Sequence, residues 1–316
     1  MPIAARIVRS RRQYCIAIGM RNCPPSLRGA EAVSFAASGE SYMPGSSSWN
    51  DRIAVIKLGG SILVNPKAYK RAAIFVRNRH RAAPDERLVI VVSAQEGATN
   101  RLERAARKIV REPSAATLDL LWSTGEIRSA AILALELQAL GVHAVALNIH
   151  QTGLKLSACA SEGALFPGAV QSTAERVYEA LAKCRVAIVP GFFATDPEDT
   201  IASLGRGGSD LTAVLLAKGL QACRCELIKD VPGYFSSDPH QNSNAQPIPQ
   251  LTFEQALEFA DGGCDLVQRK AIEAAAGCGL PLVIRSLIET GRLSRIVSAD
   301  EDKTLAGVAP LAMQVV

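Results

Sequence analysis

The sequence predicts an α/β fold: an open, mainly parallel sheet sandwiched by helices. Three observations carry that prediction. From Arg52 onward, short β-branched runs alternate with amphipathic helical stretches, the pattern of strand–helix–strand units. The strand-like runs Arg52–Leu58 (RIAVIKL) and Arg87–Ser93 (RLVIVVS) hold continuous apolar stretches, as expected of strands buried on both faces. Aromatics are only 5% of residues, so Ala, Leu, Val and Ile must fill the core, which suits helices packed on such a sheet.

Residues 1–50 stand apart. They hold six Arg against Glu31 and Glu40, with no acid before Glu31, and are rich in Ala and Ser. An organelle transit peptide, a disordered tail and a start codon assigned too early all fit this composition. No clean apolar segment precedes a small-residue cleavage site, so a secretory signal is not expected. Most of the formal net charge of +5 sits in this extension. The body is near neutral, and no nucleic-acid partner is expected. No apolar run approaches the roughly 18 residues that span a bilayer, so no membrane partner is expected either. The eight Cys form no CxxC pair and the four His do not cluster. They read as small apolar fillers in a reducing compartment, with no metal site. The cytoplasm is the expected location, or an organelle if residues 1–50 are a transit peptide.

After the strand Arg52–Leu58 the pattern predicts a helix over Lys67–His80, the strand Arg87–Ser93, and a helix over Arg101–Arg111. A long helix follows over Thr117–Leu140, broken or turned near Ser123-Thr124-Gly125. Strands are predicted at His143–Ile149, Arg185–Val189, Glu226–Asp230 and Leu282–Arg285, about six in all. Helices Ser172–Cys184, Asp210–Leu220, Thr252–Asp261 and Leu266–Cys278 lie between them. In such sheets ligands gather at the carboxyl ends of strands, and the unusual residues of this chain fall there.

Lys57-Leu58-Gly59-Gly60-Ser61 closes the first strand. Two glycines let backbone N–H groups approach an anion, a following helix N-terminus adds a favourable field, and Lys57 can reach a phosphoryl oxygen. A tight turn with a surface lysine reads equally well. This is not a P-loop, which needs G-x-x-x-x-G-K-[ST]. Val91-Val92-Ser93-Ala94 and Gly97-Ala98-Thr99-Asn100 end the second strand. Ser93 and Thr99 can donate to a carboxylate or phosphate, or simply cap a helix. Glu126, in Ser123-Thr124-Gly125-Glu126, can receive an ammonium group, or be an exposed helix glutamate. Leu204-Gly205-Arg206-Gly207-Gly208-Ser209-Asp210 is the most informative segment. Arg offers a bidentate fork for a carboxylate, the glycines expose N–H donors, and Asp210 opens a helix where it can orient a lysine or a substrate. Lys229-Asp230-Val231-Pro232-Gly233-Tyr234, with Asp238-Pro239, can hold a base and ribose or be an ordinary Pro-Gly turn.

Together and in this order, these segments resemble the amino-acid kinase superfamily, and within it the aspartate kinases. Lys57–Ser61 is similar to the opening K-F-G-G-[TS] element, and Val91–Leu102 (VVSAQEGATNRL) to V-V-S-A-x-x-G-x-T-N-x-L. Leu204–Ala213 (LGRGGSDLTA) is similar to L-G-R-G-G-S-D-x-[TS]-A, the most discriminating piece, and Lys229–Pro239 to T-D-V-D-G-[VI]-Y-T-A-D-P. Gln151-Thr152-Gly153, Pro190-Gly191-Phe192 and Arg285-Ser286 fall at similar relative places. The likeness covers about residues 52–290.

The resemblance implies a three-layer amino-acid kinase-like domain over residues 51–316, with a substrate lobe over about 51–200 and a nucleotide lobe over about 201–300. It implies transfer of the γ-phosphoryl of ATP, with Mg2+, to the side-chain carboxylate of aspartate. In that reading Lys57 neutralises charge on the transferred group and Asp210 holds Lys57. Gly59, Gly60 and Ser61 cradle phosphates, and Arg206 with Gly207 clamps a substrate carboxylate. Glu126 takes the α-ammonium, and Ser93 and Thr99 line the same pocket. Lys229, Asp230, Gly233, Tyr234, Asp238 and Pro239 contact the nucleotide. The central expectation is that Lys57, Arg206 and Asp210 converge around one polyanion. A small amino acid is the expected partner, and a homodimer the expected assembly.

Three departures stand out. Where the family reads G-A-K-V-L-H-P, this chain reads Gly263-Cys264-Asp265-Leu266-Val267-Gln268-Arg269, so Asp265 replaces a nucleotide-side lysine. Lys229 stands where threonine is usual, and the pair suggests a charge swap. No ACT domain is expected in the residues after Asp300, so feedback by amino acids is not expected from this chain alone. The same chemistry on another small acidic acceptor, or a non-catalytic nucleotide-binding paralogue, are the alternative readings.

Overall fold

The structure, a computed structural model, describes residues 52–299 apart from 158–164, 240–241, 243 and 289–290. The extension at residues 1–50 and the segment after Asp300 lie outside the described residues.

The chain begins with β1 (Ile53–Leu58), α1 (Pro66–Ala82), β2 (Arg87–Val92), α2 (Ala98–Ile109) and the long α3 (Ala115–Ala139). Next come β3 (Ala144–Ala146), α4 (Ile149–Thr152), α5 (Ala169–Lys183), β4 (Val186–Pro190) and the hairpin of β5 (Phe193–Thr195) and β6 (Ile201–Ser203). The helix α6 (Gly208–Gly219) leads into β7 (Arg224–Lys229), then β8 (Tyr234–Phe235), β9 (Pro247–Ile248) and β10 (Gln250–Thr252). α7 (Phe253–Asp261), α8 (Arg269–Ala276), β11 (Leu282–Ser286) and β12 (Leu293–Val297) complete it. Among the described residues eight strands form one sheet in the order β10-β12-β11-β7-β1-β2-β4-β3. The pairs β1–β2, β1–β7, β2–β4 and β7–β11 are parallel, and β11–β12 is antiparallel.

The sheet is covered on both faces because its central strands are apolar on both. From β1, Ile53 and Val55 face the layer of α5, α6 and α8, while Ala54, Ile56 and Leu58 face α1 and α3. All of these side chains are buried. Among the described residues, no helix is long and apolar enough to cross a membrane.

Helix α3 runs unbroken through Ser123-Thr124-Gly125, contrary to the expected break. The Ser123 and Thr124 hydroxyls donate to the Leu120 and Leu121 carbonyls, both at 2.7 Å, and so are satisfied within the helix. Gly125 serves a contact instead: a Cβ there would sit 2.9 Å from the Ala94 Cβ. The expected strand over His143–Ile149 shrinks to Ala144–Ala146, because Asn148 caps α4.

A polar cluster interrupts the apolar interior on the α1 face of the sheet, reaching from the amino end of β2 across β7 to β11. Glu226 of β7 is 2% exposed. Its carboxylate meets Arg79 at 3.0 Å, Arg224 at 2.7 Å and Arg285 at 3.5 Å. The neighbouring Glu86, just before β2, meets Arg224 at 2.6 Å and Arg79 at 3.4 Å. Burial, followed by the opposing pull of Arg79 and the push of Glu226, leaves the Glu86 carboxyl above its usual value.

Candidate active site

In the sheet, β1 has β2 on one side and β7 on the other. Chain order reverses direction across β1, and such a switch point opens a crevice between strand ends. A cavity of about 260 Å³ lies there, lined by Lys57 from β1, Ser93 after β2, Lys229 from the end of β7, and Gly207 to Asp210 at the start of α6. Phe192, Asp265 and Gln268 complete its wall.

Asp210 sits in the first turn of α6 and is 2% exposed. Lys57 Nζ lies 2.7 Å from its Oδ1, and Lys229 Nζ donates to its Oδ2 at 2.9 Å. Burial disfavours the Asp210 charge, but Lys57 and then Lys229 outweigh burial and hold the carboxyl well below the usual carboxylate range. Burial pulls the Lys229 ammonium below its usual range; Asp210 opposes this and Lys57 adds to it. Two ammonium groups share this one carboxylate close to the α6 N-terminus, which favours anions, while Asp265 sets a second acid in the wall. Gly207, at φ 75°, is the N-cap of α6 and supplies no side-chain cap.

Close approach of main chains shapes the rim. A Cβ on Gly60 would lie 2.9 Å from the Ala94 carbonyl oxygen, so the turn after β1 and the loop after β2 touch only because residue 60 is glycine. A Cβ on Gly207 would fall 2.2 Å from Gln268 Cγ, which brings the loop before α8 to the cavity. Two ammonium groups and closely approaching glycine backbone give this cleft donors that an anion can accept from.

Beside it lies Glu126. The contact of Gly125 with Ala94 brings α3 against the loop after β2, and Glu126 Oε1 accepts from the Ala94 N–H at 3.2 Å. Glu126 is 5% exposed, and Oε2 has no hydrogen-bond partner among the described residues. Burial raises its pKa to about 7, with the Ala94 N–H opposing. A carboxyl raised above its unfolded value stabilises the fold fully below the unfolded pKa of 4.5, and that stability is lost as pH rises through about 7. Urea denaturation at pH 6 and pH 8 is therefore expected to show the unliganded protein losing about 1 kcal/mol over that interval. Glu126→Gln is expected to remove that loss; an equal loss in the variant contradicts the assignment.

Of the residues expected from sequence, the cavity brings together Lys57, Ser93, Gly207, Asp210 and Lys229. Gly59 is buried beside Lys57: a Cβ there would lie 3.0 Å from the ammonium. Ser61 is exposed in the turn, and α1 starts only at Pro66 behind its Asn65 cap, so no helix N-terminus directly follows the glycines. Thr99 is half-buried in the first turn of α2, outside the lining.

Arg206 does not join Lys57 and Asp210 in the cavity wall. Gly205 and Gly207, both at positive φ, turn the chain on either side of it. Backbone at 207–208 faces the cavity while the Arg206 side chain is exposed. Asp230, Asp238 and Pro239 are likewise exposed and outside the lining. Tyr234 is not presented to a ligand. Its ring is buried against Phe259, with centroids 5.4 Å apart. Its N–H donates to Ser294 Oγ at 2.8 Å, which ties β8 to β12. Gly233, at φ 152°, is packed so closely on Ser294 that a Cβ would lie 2.3 Å from its hydroxyl, so this glycine serves packing. Phe192, Ser209 and Gln268 line the cavity without having been singled out as site residues. Phe192, at φ 74°, was the most findable, being a bulky residue just after a Pro-Gly pair at a strand end.

Residues 52–286 match the model of the amino acid kinase family. An aspartokinase of Thermus thermophilus is 33% identical over 259 residues, covering 81% of this chain and 62% of that protein. An aspartate kinase of Stutzerimonas stutzeri is 32% identical over 253 residues, covering 80% of this chain and 60% of that one. The chain thus spans about three-fifths of the length of these curated relatives. Among solved structures, an aspartate kinase from Synechocystis superposes with a TM-score of 0.67 at 31% identity, over 78% of this chain and 40% of that one. With the family match extending over most of its length, this chain belongs to the amino acid kinase family.

Proposed function

We propose that this chain transfers the γ-phosphoryl group of ATP to the side-chain carboxylate of aspartate, giving ADP and an acyl phosphate. The observation that carries this reading is the pair of ammonium groups on the buried Asp210, in a cleft beside the unpartnered carboxylate oxygen of Glu126. The aspartokinase relatives give the reaction its direction.

Phosphoryl transfer relies on positioning and on charge stabilisation rather than on proton chemistry. An oxygen of the acceptor carboxylate attacks the γ-phosphorus, and the bond from that phosphorus to the bridging oxygen breaks. No general base is needed, because the acceptor is ionised at pH 7. Lys57 stabilises the charge spread over the transferred oxygens, and Asp210 fixes its ammonium in place. Backbone N–H groups at the start of α6 bind phosphate oxygens. The turn at Gly59-Gly60-Ser61 brings further backbone to the phosphates. Mg2+, carried on those phosphates, supplies further charge neutralisation when bound. Glu126 receives the α-ammonium of the amino acid, and the exposed Arg206, next in the chain to the cavity-lining Gly207, is assigned its α-carboxylate.

Hydroxylamine converts an acyl phosphate to a hydroxamate, so the test is hydroxamate formation from ATP across a panel of amino acids. Aspartate is expected to give product, and Lys57→Ala to lower the rate by about 10²–10³. ATP turnover without hydroxamate from any acid overturns the reading. Product from a different acid alone moves the acceptor and leaves the phosphoryl transfer intact.

A further inference from the structure

We infer that Lys229 is a second catalytic ammonium, touching the transferred phosphoryl group together with Lys57; this rests on the phosphoryl-transfer reading above. Asp210 presents one oxygen to each lysine, at 2.7 and 2.9 Å. A single carboxylate therefore sets the positions of both ammonium groups, and both side chains line one cavity. Each ammonium group uses one contact on Asp210 and keeps further N–H donors, and both side chains reach the cavity that a phosphoryl group would enter.

The route by which Lys229 arrives separates it from the segment that follows. It is the last residue of β7, which pairs with β1 so that Ile228 stands opposite Leu58. It therefore issues from the same sheet edge as Lys57. Asp230, Asp238 and Pro239 lie outside the lining. Lys229 thus belongs with the reacting end of a bound nucleotide rather than with its base and ribose. Two of the positions at which this chain departs from the motifs it resembles, Lys229 and Asp265, exchange charge, and both line this cavity. A cation has entered from β7 where an acid now occupies the loop before α8. Lys229 keeps its proton throughout and donates hydrogen bonds to the phosphoryl oxygens; no bond to it forms or breaks.

A contact made to the group in flight is felt by a mimic of that group and not by the product nucleotide. The test is calorimetric binding of Mg·ADP, with and without aluminium fluoride as the planar phosphoryl mimic, at saturating aspartate. Lys229→Met is expected to bind ADP within about 3-fold of the parent, but to lose about 100-fold in affinity for the aluminium fluoride complex, with kcat falling in parallel. Equal weakening of both ligands makes Lys229 a nucleotide-binding residue only, and no weakening removes it from the site; either result overturns the inference. Should the Met variant fail to fold, Lys229→Arg keeps the charge but displaces the donors. It is expected to weaken the aluminium fluoride complex selectively by about 10-fold, and equal weakening of the two ligands overturns the inference here too. A parent enzyme that yields no hydroxamate and binds ADP equally well with and without aluminium fluoride sinks the reaction itself, a separate failure.

Discussion

Asp210→Asn is expected to reduce turnover by at least about 10³-fold, because it removes the group that places both ammonium groups of the cleft. The amide that remains carries no charge. Lys57 and Lys229 then face each other across the same buried position without the carboxylate they share. Breaking a buried ion pair by deleting one partner costs about 3–5 kcal/mol, so the variant is also expected to unfold at lower denaturant. Stability and turnover are separable by measuring the rate at a temperature where circular dichroism shows the variant folded. The pH dependence carries the same sign. A carboxyl held below its ordinary value contributes stability that is present above the unfolded pKa of 3.8 and lost as pH falls toward the depressed value. The parent is therefore expected to lose this contribution only in acid, and the Asn variant to lack it at pH 7. A variant retaining a tenth of parental turnover contradicts the placement of Lys57 and Lys229 by this residue.

The second large effect lies outside the cavity lining and leaves the chemistry alone. Glu226→Gln is expected to destabilise the fold by about 3 kcal/mol, since Arg79, Arg224 and Arg285 lose the carboxylate they share. The guanidinium groups are partly exposed and two of them retain Glu86, which keeps the effect at the lower end of the range for buried pairs. For a protein of this size the melting temperature is expected to fall by roughly 6–12 °C. The turnover of the folded fraction is expected to stay within a factor of about 2, because the network sits away from the cavity. A shift under about 2 °C would mean that water or neighbouring groups already screen these charges.

The central strands were legible in the sequence because each is buried on both faces and therefore reads as an aliphatic run, as in IAVI of β1 and LVIVV of β2. The short elements β5, β6, β8, β9 and β10 were not. They hold two or three residues each, too few for a periodic pattern, and only pairing defines them: β5 with β6, β8 with β9, and β10 with the distant β12. β12 was missed for a related reason. Its outward residues Leu293 and Arg295 mix apolar with charged, and its pairing with β11 and β10 defines it.

At the site, the place of Lys57, Ser93, Gly207, Asp210 and Lys229 in one cavity wall was legible because all lie at carboxyl ends of strands or at the start of a helix, where crevices open in such sheets. The direction of a side chain was not legible. Tyr234 after Pro-Gly reads identically whether the ring faces a ligand or the core, and the contact of Gly233 with Ser294 decides for the core. Arg206 illustrates the same limit from the other side, since two flanking residues at positive φ set its direction. Ser123-Thr124-Gly125 reads as a break, yet the helix continues because its hydroxyls bond back to carbonyls three residues earlier.

Phosphorus NMR of a reaction with aspartate labelled with oxygen-18 in its side-chain carboxylate examines the bond the cleft is built to form. If Lys57, Asp210 and Lys229 hold the γ-phosphoryl group for attack by that carboxylate, a new acyl phosphate resonance appears with ADP and carries the isotope shift of a labelled bridging oxygen. ADP and unlabelled inorganic phosphate alone, with no such resonance at any time, would contradict it.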